Sequence, residues 1–258
     1  MTTLGVMIIT QNEALNIKRC LDAVCWADEI VIVDSGSTDE TLNIAKQYPQ
    51  VKIFHQPWLG FGPQKQKALS YITSDWVLSI DADEEVTPEL KEEIQDILSS
   101  NQPNDLFFIP LKNFYCGIPV RFVWRDNKKL RLFRKGYASV NDKIIHEGIE
   151  PTQDNSSIGQ LKTKMNHFSI HSRTQFIKKM NHYSSLKAQQ NALNKKKIIF
   201  PLTIIKPLFV FIKFYIIKLG FLDGRVGFEL CVMLSFLTFM NEIKLHYNEN
   251  SADYQHNN

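Results

Sequence analysis

The chain has 258 residues, enough for one large α/β domain with an appendage and short for two full domains. Hydrophobic residues make up 44% of it, which excludes a disordered chain. The formal charge of +3 is mild and is not gathered into a basic stripe with aromatic base platforms, so no nucleic-acid partner is expected.

The first apolar segment, Leu4 to Thr10, is β-branched and reads as a buried strand. No basic region precedes it, so no signal peptide is expected. A helical pattern follows through Ile17, Leu21 and Val24. Glu29 to Asp34 is a second short strand, closed by the turn Ser35-Gly36-Ser37-Thr38-Asp39 and a helix through Leu42 and Ala45. Val51 to His55 is a third strand and Gln64 to Ile72 a helix. Asp75 to Ile80 is a fourth strand that ends at Asp81, and Pro88 opens a helix through Leu90, Ile94 and Leu98. Asp105 to Leu111 and Leu130 to Arg134 read as strands, residues 113–129 as irregular, and Pro151 to Gly159 as a polar loop. Helical periodicity resumes near Thr174.

Strands alternating with helices imply an α/β fold, with a mostly parallel central sheet flanked by helices. The expected division is a catalytic domain over 1–170, in halves 1–105 and 106–170, and a helical apolar extension over 171–258. Within the extension, Ile198 to Leu222 is very apolar but broken by Lys206, Lys213, Lys218, Pro201 and Pro207, so it offers no clean spanning run. Lys206 and Lys213 fall on nearly the same helix face, which fits an amphipathic helix at a membrane surface as well as a core or dimer helix. The dense basic run Lys195-Lys196-Lys197 next door favours anionic lipid. Val226 to Met240 is expected to pack against this segment. Cys20, Cys25, Cys116 and Cys231 form no C-x-x-C pair and fit reduced thiols of a cytosolic protein.

Ligands of such sheets bind beyond the carboxyl ends of the strands, and both Asp34 and Asp81 stand at such ends. Asp81-Ala82-Asp83 places two carboxylates at i and i+2, which can hold a hard divalent ion that neutralises a diphosphate leaving group. An acidic pair in a loop is ordinarily solvated surface; its place after a buried strand, beside Asp34, is what raises it to a site. Arg131 and Arg134 would meet phosphates if their strand borders the crevice, and Arg134 is expected on the solvent side.

The order of motifs I8-I-T-Q-N-E13, V31-I-V-D-S-G-S-T-D-E-T41, Gly60 to Ala68, and W76-V-L-S-I-D-A-D-E84 resembles the inverting family 2 glycosyltransferases of the GT-A nucleotide-diphospho-sugar transferase fold. L130-R-L-F-R134, I145-H-E147, His167 and G220-F-L-D-G224 look like the bacterial subgroup that adds glucose to the lipopolysaccharide inner core. The resemblance implies that Thr10 and Glu13 line the nucleotide pocket, that Asp34 meets the uracil edge, and that Lys65 stands where the family often has an arginine. It implies that Asp81 contacts ribose or diphosphate, and that Asp83 holds a divalent Mg²⁺ or Mn²⁺ ion with His167. Glu13 also suits a helix N-terminus and Lys65 a solvated helix face. Inversion needs a general base for the acceptor hydroxyl. The family's acidic pair after the D-x-D is missing here, leaving Glu147, in the H-E motif, ahead of Asp126.

The implied enzyme is a metal-dependent hexosyltransferase moving glucose, or a related hexose, from a UDP-sugar to a lipid-linked saccharide. It would be cytoplasmic and peripheral on the inner face of the bacterial inner membrane. Two other functions compete. A nucleotidyltransferase would carry a glycine-rich loop after the first strand, where T-Q-N-E-A-L-N stands. A degenerate binding module would show a broken D-x-D or a missing cleft base, and the D-x-D here is intact.

Overall fold

The computed structural model describes residues 2–100, 102–141, 148–153, 156–193 and 200–246. The amino-terminal half alternates as expected: β1 (Leu4–Thr10), α1 (Ile17–Val24), β2 (Glu29–Asp34), α2 (Thr41–Ala45), β3 (Val51–His55), α3 (Phe61–Tyr71) and β4 (Trp76–Asp81). Then come β5 (Glu84–Glu85), α4 (Pro88–Ser99), β6 (Leu106–Tyr115), β7 (Ile118–Val120), β8 (Lys128–Arg134), β9 (Ala138–Val140), β10 (Ile149–Pro151), β11 (Ile158–Gln160) and β12 (Met165–Ile170). The remainder is helical: α5 (Arg173–Leu193), α6 (Phe200–Ile212), a π-turn over Lys213–Ile217, a 3₁₀ turn over Gly220–Asp223 and α7 (Gly224–His246). The chain divides into two compact units, Met1–Lys112 with Asp126–His167, and Asn113–Arg125 with Phe168–Asn258.

In the first unit β1 pairs in parallel with β2 on one side and β4 on the other, and β2 pairs in parallel with β3. The order β3-β2-β1-β4 means that the chain winds outward from β1 and then crosses back to its other side. The switch of direction falls between β1 and β4, where open α/β sheets hold ligands. Beyond β4 the pairing turns antiparallel, first to β8 and then to β6. The sheet is therefore parallel over the four strands that shape the crevice and mixed past them, where β11 joins β6 in parallel.

β1 and β2 are buried along almost their whole length, because helices cover both faces, and this is why they read as unbroken apolar runs. Alternate residues serve opposite cores. Val6, Ile8, Ile30 and Ile32 join α1 and α4 on one face, while Met7, Val31, Val33 and Val77 join α3 on the other. α1 reaches the first core with Ile17, Cys20, Leu21 and Val24 at helical spacing. α4 begins at Pro88 behind Thr87, whose hydroxyl accepts the Leu90 N–H at 3.3 Å.

Three segments differ from expectation. β6 runs on to Tyr115 and meets β7, inside the stretch that reads as irregular, because Leu111, Asn113 and Tyr115 are buried in alternation with the more exposed Lys112 and Phe114. β10 and β11 occupy parts of the expected loop after Ile149. The long apolar helix falls later than 198–222: Gly220–Leu245 is long and apolar enough, by length and composition, to cross a membrane.

In the second unit Tyr115, Val123, Phe176, Met180, Leu230 and Cys231 form a core. The G-F-L-D-G motif is structural here. Asp223 accepts the N–H groups of Arg121, Phe122 and Val123 at 2.9, 2.9 and 3.0 Å. A Cβ at Gly227 would stand 1.9 Å from the Gly220 carbonyl oxygen. α6 and α7 pack together as expected, with the Ser235 hydroxyl donating to the Pro207 carbonyl and Lys206 paired with Glu242 at 2.8 Å. α7 is also tied to α5, through Glu229 with Arg173 and through Lys244 with Asn181 and Ser185. Outward, α6 shows Ile205, Leu208, Phe209 and Ile212, and α7 shows Phe228, Val232, Phe236 and Phe239.

Candidate active site

The site begins where β4 ends. Asp81 is its last residue, and its N–H donates to Glu84 Oε2 at 2.9 Å across the tight Ala82-Asp83 turn. Glu84 is fully buried, and its other oxygen accepts from Arg131 Nη2, which also reaches Asp81 Oδ2. Lys65, from α3, places Nζ 2.8 Å from Asp81 Oδ1, and Lys129 lies 3.5 Å from Oδ2. Two carboxylates thus face two buried cations, with a third cation at the rim, and that balance is what lets charge stay inside. Burial pushes the Asp81 carboxyl upward; the charges of Arg131, Lys65 and Lys129 outweigh it and hold the group well below the usual carboxylate range. Burial likewise opposes the Arg131 charge, and Asp81 with Glu84 raise its pKa in spite of it.

Asp83 points to a different partner. His167, on β12 opposite Glu84, brings Nε2 to 3.7 Å from Asp83 Oδ2. Among the described residues no group of three or more His, Cys, Asp or Glu side chains is arranged to hold a metal ion. A mostly buried carboxylate and an imidazole fit Mg²⁺ or Mn²⁺ when the remaining positions come from diphosphate oxygens and water. The donor set therefore fits a substrate-completed ion held by Asp83 and His167.

On the other side of the switch point, Thr10 ends β1 in register with Asp34 at the end of β2. The Thr10 hydroxyl is buried and has no hydrogen-bond partner among the described residues, and neither has Gln64 Oε1. Gln64 donates to Ser35 Oγ at 2.9 Å, and Ser35 N–H donates to the Thr10 carbonyl. Two orphaned polar atoms thus flank Ser35 at the crevice, where a ligand can meet them. Asp34 accepts the Gly36 and Ser37 N–H groups at 2.8 and 2.9 Å and the Ser37 hydroxyl. Its carboxylate shapes the turn, in which Gly36 has φ +96°.

Glu13 lies in the turn ahead of α1, not inside the helix. Its carboxylate accepts from Asn16 Nδ2, and its N–H donates to Thr41 Oγ1, each at 2.8 Å. Three more bonds lace the same two loops: Asn12 N–H to Ser37 Oγ, Thr38 N–H to Asn12 Oδ1, and Ala14 N–H to Asp39 Oδ2. These partners explain why T-Q-N-E and D-S-G-S-T-D-E-T occur together: each loop supplies side-chain acceptors for backbone N–H groups of the other. Arg134 sits apart from the crevice, over the Trp76 ring and paired with Asp105 at 3.1 Å. Glu147 lies outside the described residues. Asp126, the other candidate base, is in the turn before β8.

Thr10, Asp34, Lys65, Asp81, Asp83, Arg131 and His167 are candidates legible in the sequence, whereas Glu84, Gln64 and Lys129 come forward only in the structure. The signal for Glu84 was its place directly after D-A-D. Gln64 and Lys129 gave none beyond lying beside Lys65 and Arg131.

Residues 5–180 match the family model described as glycosyl transferase family 2. The chain belongs to glycosyl transferase family 2. Among its family 2 relatives, an uncharacterized glycosyltransferase of Rickettsia typhi is 34% identical over 255 residues, covering 95% of this chain and 87% of that one. The lipopolysaccharide core biosynthesis glycosyltransferase LpsC of Rhizobium meliloti is 29% identical over 252 residues, covering 94% and 92%. Of solved structures, S. aureus TarS 1–349 in complex with UDP superposes with a TM-score of 0.50 at 16% identity, over 98% of this chain and 92% of that one. That likeness shows the GT-A fold. The sheet and the switch point described above are accordingly those of a family 2 glycosyltransferase.

Proposed function

We propose that this glycosyltransferase moves a hexose, glucose first among candidates, from a UDP-sugar to a lipid-linked saccharide such as the lipopolysaccharide inner core, with inversion. The observation that carries the donor half is the carboxyl-end constellation: orphaned Thr10 and Gln64 atoms on one side, and the Lys65-Asp81-Arg131-Glu84 network with the Asp83-His167 pair on the other. Thr10, Glu13 and Asp34 line the nucleotide pocket. Asp81 orients ribose or diphosphate and keeps Lys65 and Arg131 within reach of the phosphates. Asp83 and His167 hold a divalent ion, which when bound supplies positive charge beside the leaving diphosphate.

Glu147 takes the proton of the acceptor hydroxyl as its oxygen forms a bond to the anomeric carbon from the open face. The bond from that carbon to the diphosphate breaks, its electron pair leaves on phosphate oxygen, and UDP departs. The LpsC likeness supports the acceptor class. The exposed apolar residues of α6 and α7 keep the enzyme at the cytoplasmic face of the membrane, near a lipid-borne acceptor.

A donor screen tests the reading. Nucleotide release is measured from UDP- and GDP-hexoses, with lipopolysaccharide-core acceptor, and with or without Mn²⁺. Release of UDP that requires both acceptor and ion is expected. Preferred release from a GDP-sugar, or turnover indifferent to chelator, overturns it.

A further inference from the structure

The helical unit carries a contradiction that decides how it meets a membrane. Gly220–Leu245 has the length and mean hydropathy, 1.5 over its most apolar window, of a helix that crosses a bilayer. Yet two charged residues of α7 are fastened to the polar helix α5. Glu229 pairs with Arg173 and accepts the Tyr115 hydroxyl at 2.7 Å. Lys244 donates to Asn181 Oδ1 and Ser185 Oγ at 2.7 and 2.8 Å. About 22 Å of helix separates the two anchors, at about 1.5 Å per residue. A hydrocarbon core is about 30 Å thick, so a spanning α7 would carry α5 into it along most of that depth. α5 exposes Arg173, Lys178, Lys179 and His182. Side chains of that kind cost several kcal/mol each in hydrocarbon, on the order of the translocon values.

The opposite side of the unit has the converse chemistry. The exposed stripes on α6 and α7 are joined by a turn that shows Ile216, Ile217, Phe221 and Leu222, each about half exposed or more. The charge around this surface is mostly positive. Among the described residues from 200 to 225, Lys206, Lys213, Lys218 and Arg225 stand against Asp223 as the single acid, and Glu242 of α7 is taken up by Lys206. Asp223 is already engaged by three backbone N–H groups. Lys213 and Lys218 flank the turn, both over the Phe214 ring. A second copy of this chain would bring the same cations against these, whereas an anionic headgroup layer would neutralise them.

We propose that the α6–α7 stripes and the turn between them lie flat in the headgroup region of an anionic bilayer, and that α7 does not cross it. This rests on the reading of the chain as an enzyme with a lipid-linked acceptor, and it names the surface and lipid class that reading leaves open. Apolar side chains enter the acyl boundary, Lys213 and Lys218 meet lipid phosphates, and α5 faces water.

Flotation of the full chain with vesicles tests it, comparing phosphatidylcholine alone with equal parts phosphatidylcholine and phosphatidylglycerol. Binding to the mixed vesicles, release by alkaline carbonate, and weakening by salt are expected. Reversing Lys213 and Lys218 to Glu is expected to weaken binding by about fivefold per charge removed, from about 1 kcal/mol each. I216D with I217D is expected to abolish flotation with unchanged far-UV circular dichroism. Equal binding to neutral vesicles overturns the lipid class. Carbonate-resistant retention in membranes isolated from expressing cells overturns the flat orientation, and a concentration-dependent dimer that does not float overturns the partner. UDP release with a detergent-solubilised acceptor is read in parallel. Its persistence in I216D/I217D separates this surface from the catalytic assignment, and its absence in the parent chain counts against that assignment alone.

Discussion

Arg131 and Phe209 mark the two extremes of the molecule. The guanidinium of the sheet-centred unit is 2% exposed, while the phenyl ring of the helical unit is 58% exposed. In the first unit, charge is brought inside and balanced: Arg131 and Lys65 against Asp81 and Glu84, and Glu29 against Thr73, Ser74 and Lys52. In the second, apolar rings are left outside while Glu229 and Lys244 are drawn in against α5. An interior charge network serves positioning, because each group constrains the next. An exterior apolar stripe offers a surface for attachment, because nothing among the described residues of the unit covers it.

Substitutions can break this contrast at either end. The largest effect is expected at Asp83, whose replacement by Ala lowers transfer by about a thousandfold or more while the urea midpoint stays close to that of the parent chain. Glu147→Gln is expected to lower transfer by about 100- to 10,000-fold and to leave UDP binding intact, which calorimetry with UDP checks. Arg131→Met leaves Glu84 buried without its cation and is expected to cost about 3–5 kcal/mol in urea unfolding.

Glu29→Gln sharpens the electrostatic side. Burial pushes the Glu29 carboxyl upward, and hydrogen bonds from Thr73, Ser74 and Lys52 more than reverse this, to about 2 from its ordinary 4.5. The folded-state value lies below the unfolded one, so its stabilisation is full above about pH 4.5 and is lost as pH falls toward 2. The linkage amounts to about 3 kcal/mol at neutral pH. The variant should lose about that much at pH 7 and show a flatter acid limb in a pH series of urea unfolding curves. At the small end, Phe209→Ser is expected to change the unfolding free energy by no more than about 0.5 kcal/mol, as ordinary surface positions do. A loss of several kcal/mol there would mean that the stripe is core.

The legible part of the sequence was the part governed by period and punctuation. β1, β2 and β4 announced themselves because both faces of each are buried, and Asp34 and Asp81 because each closes such a run. Their shared crevice followed from strand order, which right-handed crossovers restrict. The Glu84–Arg131 contact could not be read this way, because it joins residues 47 apart through the antiparallel β4–β8 pairing. β6 was cut short at Leu111 because Lys112 and Asn113 are polar; pairing with β7 decides its length, and that is a tertiary fact. The apolar character of Gly220–Leu245 was visible, but the anchors that tie it to α5 were not, since Arg173 and Glu229 are 56 residues apart.

The G-F-L-D-G stretch has a consequence for mutational tolerance. Its residues look like a signature of chemistry, yet Asp223 is spent on three main-chain N–H groups and Gly220 lies against Gly227 with no room for a methyl group. A saturation library across 220–227 should therefore retain a single letter at 227 and near-uniqueness at 223. At Phe221 and Leu222, which face outward, substitutions that preserve the fold should survive in quantity. Such a pattern would mark the motif as a joint in the scaffold.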